Sequence, residues 1–311
     1  MAKAKEITEL DCNADALEWA AKVLRVRFEE VLEKRDAALH SEDIEGVHDM
    51  RVATRRLRSA LRDFARLMKK KPLKQVKKDL KQIADALGAA RDQDVAVVAL
   101  EKLRKKSRDK QTREGIGKLI EERRSLREQA QIGLIETLAV AMIEDLQRRF
   151  NKAIDEATRQ KKSARIVSFN EAGRDVVGKS LEEFCDLSKN IYAPFTDEPL
   201  HELRISAKRL RYAIELYTAC WGKHIAPFAD EVADMQSFLG EVHDADVWLE
   251  SLSECLRDSK SENENQANIW LLSEFVEKRT KNYRFALKLW SKWKETDFIR
   301  RMQTTVSQTV S

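Results

Sequence analysis

An internal repeat spans nearly the whole chain and restricts its fold more than any other feature. The segment VHDMRVATRRLRSAL begins at Val47, and the similar segment LHELRISAKRLRYAI begins at Leu200. A second pair follows, LGAARDQDV from Leu87 and LGEVHDADV from Leu239. The two offsets are 153 and 152 residues in a chain of 311. This spacing indicates a duplicated architecture, in which one domain covering 1–311 consists of repeat 1 at about 10–160 and repeat 2 at about 165–300.

The composition indicates that both repeats are helical. The chain has only 9 Gly and 4 Pro, too few for the many turns of a β-sandwich or barrel. We predict helices near residues 12–39, 43–69, 73–88, 92–107 and 113–160, the last with a break near Gly133, and near 168–190, 199–219, 224–239, 242–257 and 264–294. The helix ends follow the stop signals Lys71-Pro72, Gly88, Ala193-Pro194, Pro199, Trp221-Gly222 and Gly240, and the linker between the halves is expected at Arg159–Ser163. The expected fold is all-α, with two similar helical bundles.

The same sequence predicts a cytoplasmic protein without membrane association. The first residues are charged and contain no apolar signal region. No stretch approaches the roughly 18 consecutive apolar residues of a membrane span. The four cysteines form no CxxC pair and no disulfide-rich pattern.

Each repeat carries a row of basic residues along one helix face. At about 100° per residue, the row in the first repeat falls within an arc of about 80°. We call the first row, His48, Arg51, Arg55, Arg58 and Arg62, the first basic stripe, and its counterpart, His201, Arg204, Lys208 and Arg211, the second basic stripe. In the second repeat Glu215 occupies the position of Arg62. Like charges at these spacings repel one another and destabilise the helix slightly, so an ordinary solvated face would mix both signs. A row of cations instead indicates an anionic ligand, and Arg and Lys bind phosphate oxygens well.

The positive charge is concentrated in the first repeat. Residues Val47–Lys81 contain six Arg and seven Lys against three Asp, a net charge of +10, whereas the whole chain carries +5. The next helix adds what we call the lysine row, Lys74, Lys77, Lys78 and Lys81. A further row on the last predicted helix, Lys281, Arg284, Lys288 and Lys292, fits an ordinary solvated face equally well. The segregation points to a phosphate-rich polyanion as partner.

A structural interpretation of the charges stays open beside this functional one. Arginines of the stripes can pair with the aspartates of the second repeated block, Asp92, Asp94, Asp244 and Asp246. These aspartates are also candidate helix N-caps. We favour a structural role for the four aspartates. They supply too few carboxylates to neutralise both stripes.

The pattern H-x-x-R-x-x-x-[RK]-R-L-R, present twice together with the LG-x-x-[RH]-D-x-D-V block, resembles the conserved-histidine α-helical domain, or CHAD, family. The resemblance covers essentially the full length. It implies two four-helix bundles related by pseudo-twofold symmetry around a basic central cavity, binding of inorganic polyphosphate, and association with polyphosphate granules. Its histidine falls on His48 and His201, and its basic positions fall on Arg51, Arg55, Arg56 and Arg58, and on Arg204, Lys208, Arg209 and Arg211. The second repeat departs from the first, because residues 227–233 contain no counterpart of the lysine row.

Two other functions remain as alternatives to a non-catalytic polyphosphate-binding module. An RNA-binding module would use the same phosphate chemistry, but the stripes have no interleaved aromatic residues for base stacking. A phosphate-ester hydrolase is less favoured, because the chain has no P-loop, HExxH or GxSxG motif. His48 with Asp49, or His243 with Asp244 and Asp246, are the groupings that a cation would need. The prediction is therefore no catalytic residue, no metal and no cofactor.

Overall fold

The computed structural model describes residues 5, 7, 11–40, 44–159, 166–258 and 262–308. Within these ranges the chain forms α-helices, three short 3₁₀ helices and no strand beyond a single bridge between Asp15 and Ser168. The α-helices are α1 (Ala16–Glu33), α2 (Arg35–Leu39), α3 (Ile44–Asp63), α4 (Leu73–Lys106), α5 (Lys110–Thr137), α6 (Val140–Thr158), α7 (Phe169–Leu187), α8 (Asp197–Trp221), α9 (Ala226–Asp258), α10 (Glu262–Glu295) and α11 (Phe298–Ser307). The all-α prediction is confirmed.

The chain divides into two compact units. The first comprises Met1–Lys102 and Leu119–Ala172, and the second comprises Leu103–Lys118 and Gly173–Ser311. The first unit therefore contains α1–α3, α6 and most of α4 and α5. The second contains the remaining turns of α4 and α5 and nearly all of α7–α11. Part of the predicted linker, residues 160–163, lies outside the described residues, while Arg159 ends α6.

The core of the first unit forms where α1, α3 and α6 bury their apolar faces. Helix α1 begins at Asp15, whose carboxylate accepts a hydrogen bond from the Leu17 N–H at 2.9 Å. Phe28 of α1 stacks on Phe150 of α6 with the ring centroids 4.2 Å apart. Helix α3 approaches α2 so closely at Gly46 that a Cβ there would lie 2.3 Å from the Ala37 carbonyl oxygen. A larger residue at position 46 would force α2 and α3 apart, so glycine is needed where the two helices cross.

The core of the second unit is richer in aromatic side chains. Trp293 of α10 stacks on Phe298 of α11 with the centroids 4.1 Å apart, and Phe184 of α7 packs edge-on against the Trp293 ring. Helix α8 ends as predicted at Gly222, whose positive φ of 56° favours glycine. The second unit also contains α8, which carries the second basic stripe and packs against α9.

Several predicted helix boundaries were wrong. Gly88 and Gly240 lie inside the continuous helices α4 and α9, because one interior glycine costs only about 1 kcal/mol and the flanking apolar residues are buried. The break predicted near Gly133 falls instead between α5 and α6, at residues 138–139. Helix α1 ends at Glu33 and α2 follows it, and α11 was not predicted.

Three of the four aspartates of the second repeated block, Asp92, Asp94 and Asp246, form ion pairs, and all four lie inside α4 or α9. Asp94 accepts a hydrogen bond from Arg127 Nε at 2.7 Å, and Asp246 pairs with Arg279 in the same way. Both aspartates lie inside long helices, so the N-cap interpretation was wrong. The two pairs have the same separation along the chain and recur 152 residues apart.

A second ion pair also occurs once in each unit. Arg56 of α3 pairs with Glu30 of α1, and Arg209 of α8 pairs with Glu183 of α7. Both members are displaced by 153 residues between the units, which is the offset of the sequence repeat. Equivalent residues therefore serve the same packing purpose in the two units.

Candidate functional site

The first basic stripe lies along α3, opposite the face that the helix buries. Val47, Met50 and Leu57 on that apolar face are fully buried. On the stripe, Arg58 is exposed and has no ion pair or hydrogen bond with any residue that the structure describes. The Arg51 side chain is 40% exposed and makes only a long ion pair, 3.6 Å from its Nη2 to Asp92 Oδ1. These two guanidinium groups remain accessible to an anion.

Two other arginines of α3 are committed to carboxylates inside the first unit. Arg62 donates a hydrogen bond from Nε to Asp63 Oδ1 at 2.8 Å, its Nη2 lies 2.7 Å from the same oxygen as an ion pair, and the Asp63 side chain is only 3% exposed. Arg56 Nη1 lies 3.4 Å from a carboxylate oxygen of buried Glu30, which also pairs with Arg27 at 3.0 Å. The Arg56–Glu30 pair joins α3 to α1, whereas the Arg62–Asp63 pair lies within α3.

The lysine row extends the positive surface of the first unit onto α4. Lys74, Lys78 and Lys81 are exposed, and Lys77 is partly buried. The described part of the chain contains no carboxylate within ion-pairing distance of these four ammonium groups. The lysine row therefore adds four cations to the exposed or partly exposed surface of the first unit.

The second basic stripe lies along α8, where its members differ in exposure. Arg204 Nη2 lies 3.4 Å from His201 Nδ1, and Lys208 is partly buried on the same helix face. Arg211 is buried and donates from Nε to Glu215 at 2.7 Å. Glu215, the residue that interrupts the stripe in the sequence, thus neutralises Arg211. His201, Arg204 and Lys208 lie on the same face of α8 and are partly exposed.

Helix α9 brings a further histidine to the second basic stripe. His243 Nδ1 lies 3.3 Å from His201 Nδ1, and the two ring centroids are 4.5 Å apart. His243 was not among the predicted binding residues, and neither was Arg91, which occupies the equivalent position in the first repeat. The duplicated block could have identified both residues, because a basic or titratable residue, Arg91 or His243, directly precedes its first aspartate in each copy.

Burial and positive neighbours lower the pKa values of four basic groups in the two units. Burial, followed by the charge of Arg91, lowers the pKa of His48. Burial and then the charge of Lys70 lower the pKa of Lys77. In the second unit, burial followed by the charge of Arg204 lowers the pKa of His201 and takes the pKa of His243 to about 4. Burial is the largest cause of each shift, and the positive neighbours add to it.

The low pKa of His243 predicts acid sensitivity of the fold. The unfolded chain takes up this proton near pH 6.5 and the folded chain only near pH 4, so stability falls as the pH drops between these values. We expect His243→Gln to remove about 1–2 kcal/mol of this loss, allowing for partial exposure. The measurement is urea unfolding of both proteins at pH 7.5 and 4.5. Equal acid destabilisation of the variant and the wild type would contradict the assignment.

A possible cation site lies at the start of the first basic stripe. The ligand atoms of Glu45, His48 and Asp49 all lie within 4.8 Å of one another. Asp49 already pairs with Lys34 at 3.4 Å, and the Arg91 and Arg55 charges act on His48. Of the residues described, His243, Asp244 and Asp246 do not form such a group. The positive surroundings suit an anion better than a metal ion.

Two further findings concern the chain as a whole. All four cysteines are free thiols. No helix within the described ranges is both long and apolar enough to cross a membrane.

Comparison with known proteins identifies the family. The model of the CHAD domain matches residues 22–253. The crystal structure of the CHAD domain from the plant Ricinus communis has a TM-score of 0.69 at 20% identity, covering 99% of this chain and 97% of that one. PptA from Streptomyces chartreusis has a TM-score of 0.70 at 15% identity, covering 89% of this chain and 100% of that one. No curated protein matches the sequence. Because the family model covers most of a chain whose fold the two structures share, this protein belongs to the CHAD domain family.

Proposed function

We propose that this protein binds inorganic polyphosphate without catalysis, through the basic stripes of its two units and the lysine row. The observation that carries the proposal is the set of cations on α3 and α4 that form no ion pair with any described residue, namely Arg58 and the lysine row. Cations without a nearby carboxylate attract anions, and a polyanion can contact several of them at once. The family resemblance supports polyphosphate as that anion.

The predicted binding residues take two roles in this proposal. We assign phosphate contact to residues of the stripes and the lysine row, and a structural role to the arginines whose side chains close ion pairs fix in place. The contacting group comprises His48, Arg51, Arg55, Arg58, Lys74, Lys77, Lys78, Lys81, His201, Arg204 and Lys208, and the positioning group comprises Arg56, Arg62, Arg209 and Arg211. Arginines give two-pronged contacts to phosphate oxygens, while lysines act as mobile point charges that suit a flexible chain.

The proposal extends to the organisation and place of the protein. We assign most of each compact unit to one sequence repeat of a single domain, because the ion pairs of Arg56 and Arg209 recur at the repeat offset. The exception is Leu103–Lys118, which belongs to repeat 1 and to the second unit. A protein that binds polyphosphate without changing it would accumulate where polyphosphate is concentrated. We therefore propose that it is recruited to cytoplasmic polyphosphate granules. Fluorescent fusion of the chain, imaged in cells with and without polyphosphate, tests this localisation.

The salt dependence of binding tests the polyanion mode. Several phosphate contacts release as many counterions, so we expect the logarithm of the association constant to fall with a slope of about −4 to −6 against the logarithm of salt concentration. The measurement is a fluorescence titration with long-chain polyphosphate between low and physiological salt. A slope near zero would contradict binding through the basic stripes.

A second measurement tests the absence of catalysis. The protein is incubated with polyphosphate and Mg²⁺ or Mn²⁺, and released orthophosphate is measured over hours. We expect no release above the rate without protein. Release that scales with protein concentration would show that the surface is an active site.

A further inference from the structure

One position near the stripes differs in chemistry between the two repeats. The blocks LGAARDQDV and LGEVHDADV align Arg91 of α4 with His243 of α9. The charge of Arg91 acts on His48, the leading residue of the first basic stripe. His243 contacts His201, the leading residue of the second, at 3.3 Å between the Nδ1 atoms. Equivalent positions therefore face equivalent histidines, one with a permanent charge and the other with a titratable one.

Positive groups dominate the surroundings of His243. From α8 it faces His201, Arg204 and Lys208, and the carboxylate of Asp197 at the start of α8 gives a weaker opposite effect. His201 itself is influenced by Glu198 and Glu202 of α8. On the α10 side the nearby carboxylates are engaged, because Glu241 pairs with Lys278 at 2.6 Å and Asp246 pairs with Arg279. A proton on His243 thus meets net positive charge until an anion arrives.

We propose that His243 is an anion-binding residue of the second unit that contacts phosphate in its protonated form, while Arg91 makes the same contact in the first unit with a permanent charge. This inference rests on the proposed function and adds to it a difference between the units. The second unit gains affinity by taking up a proton as it binds. The first unit binds without this proton.

The physical basis is the balance of charge around the histidine pair. Without ligand, two neutral imidazoles 3.3 Å apart share one N–H between the two nitrogens. A phosphate group beside Arg204 and Lys208 adds negative charge. Protonation of His243 then becomes favourable, and both Nδ1 atoms of the histidine pair carry a hydrogen. Both rings then donate to phosphate oxygens, and these charge-assisted bonds are stronger than neutral ones. Residues 227–233 offer no lysines in compensation, so the second unit depends on this proton more than the first.

Proton uptake on binding tests the inference directly. Titration calorimetry of the full chain with long-chain polyphosphate is performed in two buffers of different ionisation enthalpy, at pH 7.5, 6.5 and 5.5. We expect proton uptake and an affinity that rises by up to about tenfold for each pH unit per proton taken up, between pH 6.5 and 4. Long chains are used because their few terminal groups, which titrate near pH 6, then contribute little.

Variants at the two equivalent positions separate His243 from the other histidines. His243→Arg is expected to lower proton uptake by about one per protein and to strengthen binding about tenfold at pH 7.5. His243→Gln is expected to lower the uptake equally without the gain in affinity. Arg91→His is the reciprocal variant, and we expect it to weaken binding at pH 7.5 by about tenfold and to add proton uptake at pH 5.5. Circular dichroism at each pH checks that every variant keeps its helicity.

Two results would overturn different statements. If the wild type and both His243 variants bind polyphosphate with equal proton uptake and equal pH dependence, His243 is not a ligand contact, although the proposed function stands. If the wild type fails to bind polyphosphate at every pH, the proposed function itself is wrong. A loss of about one proton in both His243 variants, with binding retained, supports the inference.

Discussion

Replacing Arg51, Arg55 and Arg58 by Ala is expected to weaken polyphosphate binding by about 100-fold while leaving the helical content unchanged. These residues share the solvent side of α3, and a contact between a charged donor and phosphate contributes about 1 kcal/mol or more. Three such losses give about two orders of magnitude in the dissociation constant. The salt slope should fall by about 2 to 3, since three counterion-releasing contacts disappear. Fluorescence titration at several salt concentrations measures both quantities.

A matched control separates the site from the effect of net charge. The variant with Lys281, Arg284 and Lys288 of α10 changed to Ala removes the same charge from one exposed helix face at similar spacing. We expect it to bind polyphosphate within a few-fold of the wild type. If both triple variants lose affinity equally, binding follows overall charge, and the assignment to the first basic stripe is wrong.

The variant Gly46→Ala is expected to lower the free energy of unfolding by about 3 kcal/mol. Its Cβ would lie 2.3 Å from the Ala37 carbonyl oxygen and 2.5 Å from the carbonyl carbon, so helix α3 must move away from α2. Backbone atoms at a buried crossing cannot yield as a side chain can. Since α3 carries the first basic stripe two residues later, weaker polyphosphate binding should accompany the loss of stability. Urea unfolding followed by circular dichroism measures the change.

Gly88→Ala provides the control for this variant in the same unit. A Cβ at Gly88, in the interior of α4, meets nothing within 4 Å. Alanine is the better helix former, so we expect a gain of about 0.5–1 kcal/mol. Destabilisation of both variants by a similar amount would show that the close approach at Gly46 is not the cause.

The periodicity of the basic residues predicted the surface that α3 presents, because helical geometry alone determines which side chains share a face. Leu57 is buried and Arg58 exposed, as the apolar and basic arcs require. The same periodicity did not predict where α4 and α9 end, because each helix continues through a glycine. Gly88 is a stop signal only where no tertiary contact opposes it, and burial of Leu87 and Ala90 on either side outweighs its cost.

An arginine is less accessible to a ligand when its side chain forms an ion pair. Which arginines form such pairs depends on which helices pack against each other. Arg56 and Arg58 both match basic positions of the family pattern, yet Glu30 of α1 pairs with Arg56, and Glu183 of α7 pairs with Arg209 in the second unit. Single-sequence patterns contain no information on these distant partners. His243 was within reach of the sequence, because it aligns with Arg91 in the repeated block, but its contact with His201 appears only once α8 and α9 pack together.

Direct competition between polyphosphate and RNA tests the central claim. Labelled long-chain polyphosphate is bound to the wild-type chain at physiological salt, and unlabelled polyphosphate or single-stranded RNA of equal phosphate concentration is added. The stripes offer dense cations and no stacking aromatics, so polyphosphate should displace the label at least about tenfold more effectively than RNA. Displacement by RNA at lower concentrations than polyphosphate would contradict the account and identify a nucleic-acid-binding protein instead.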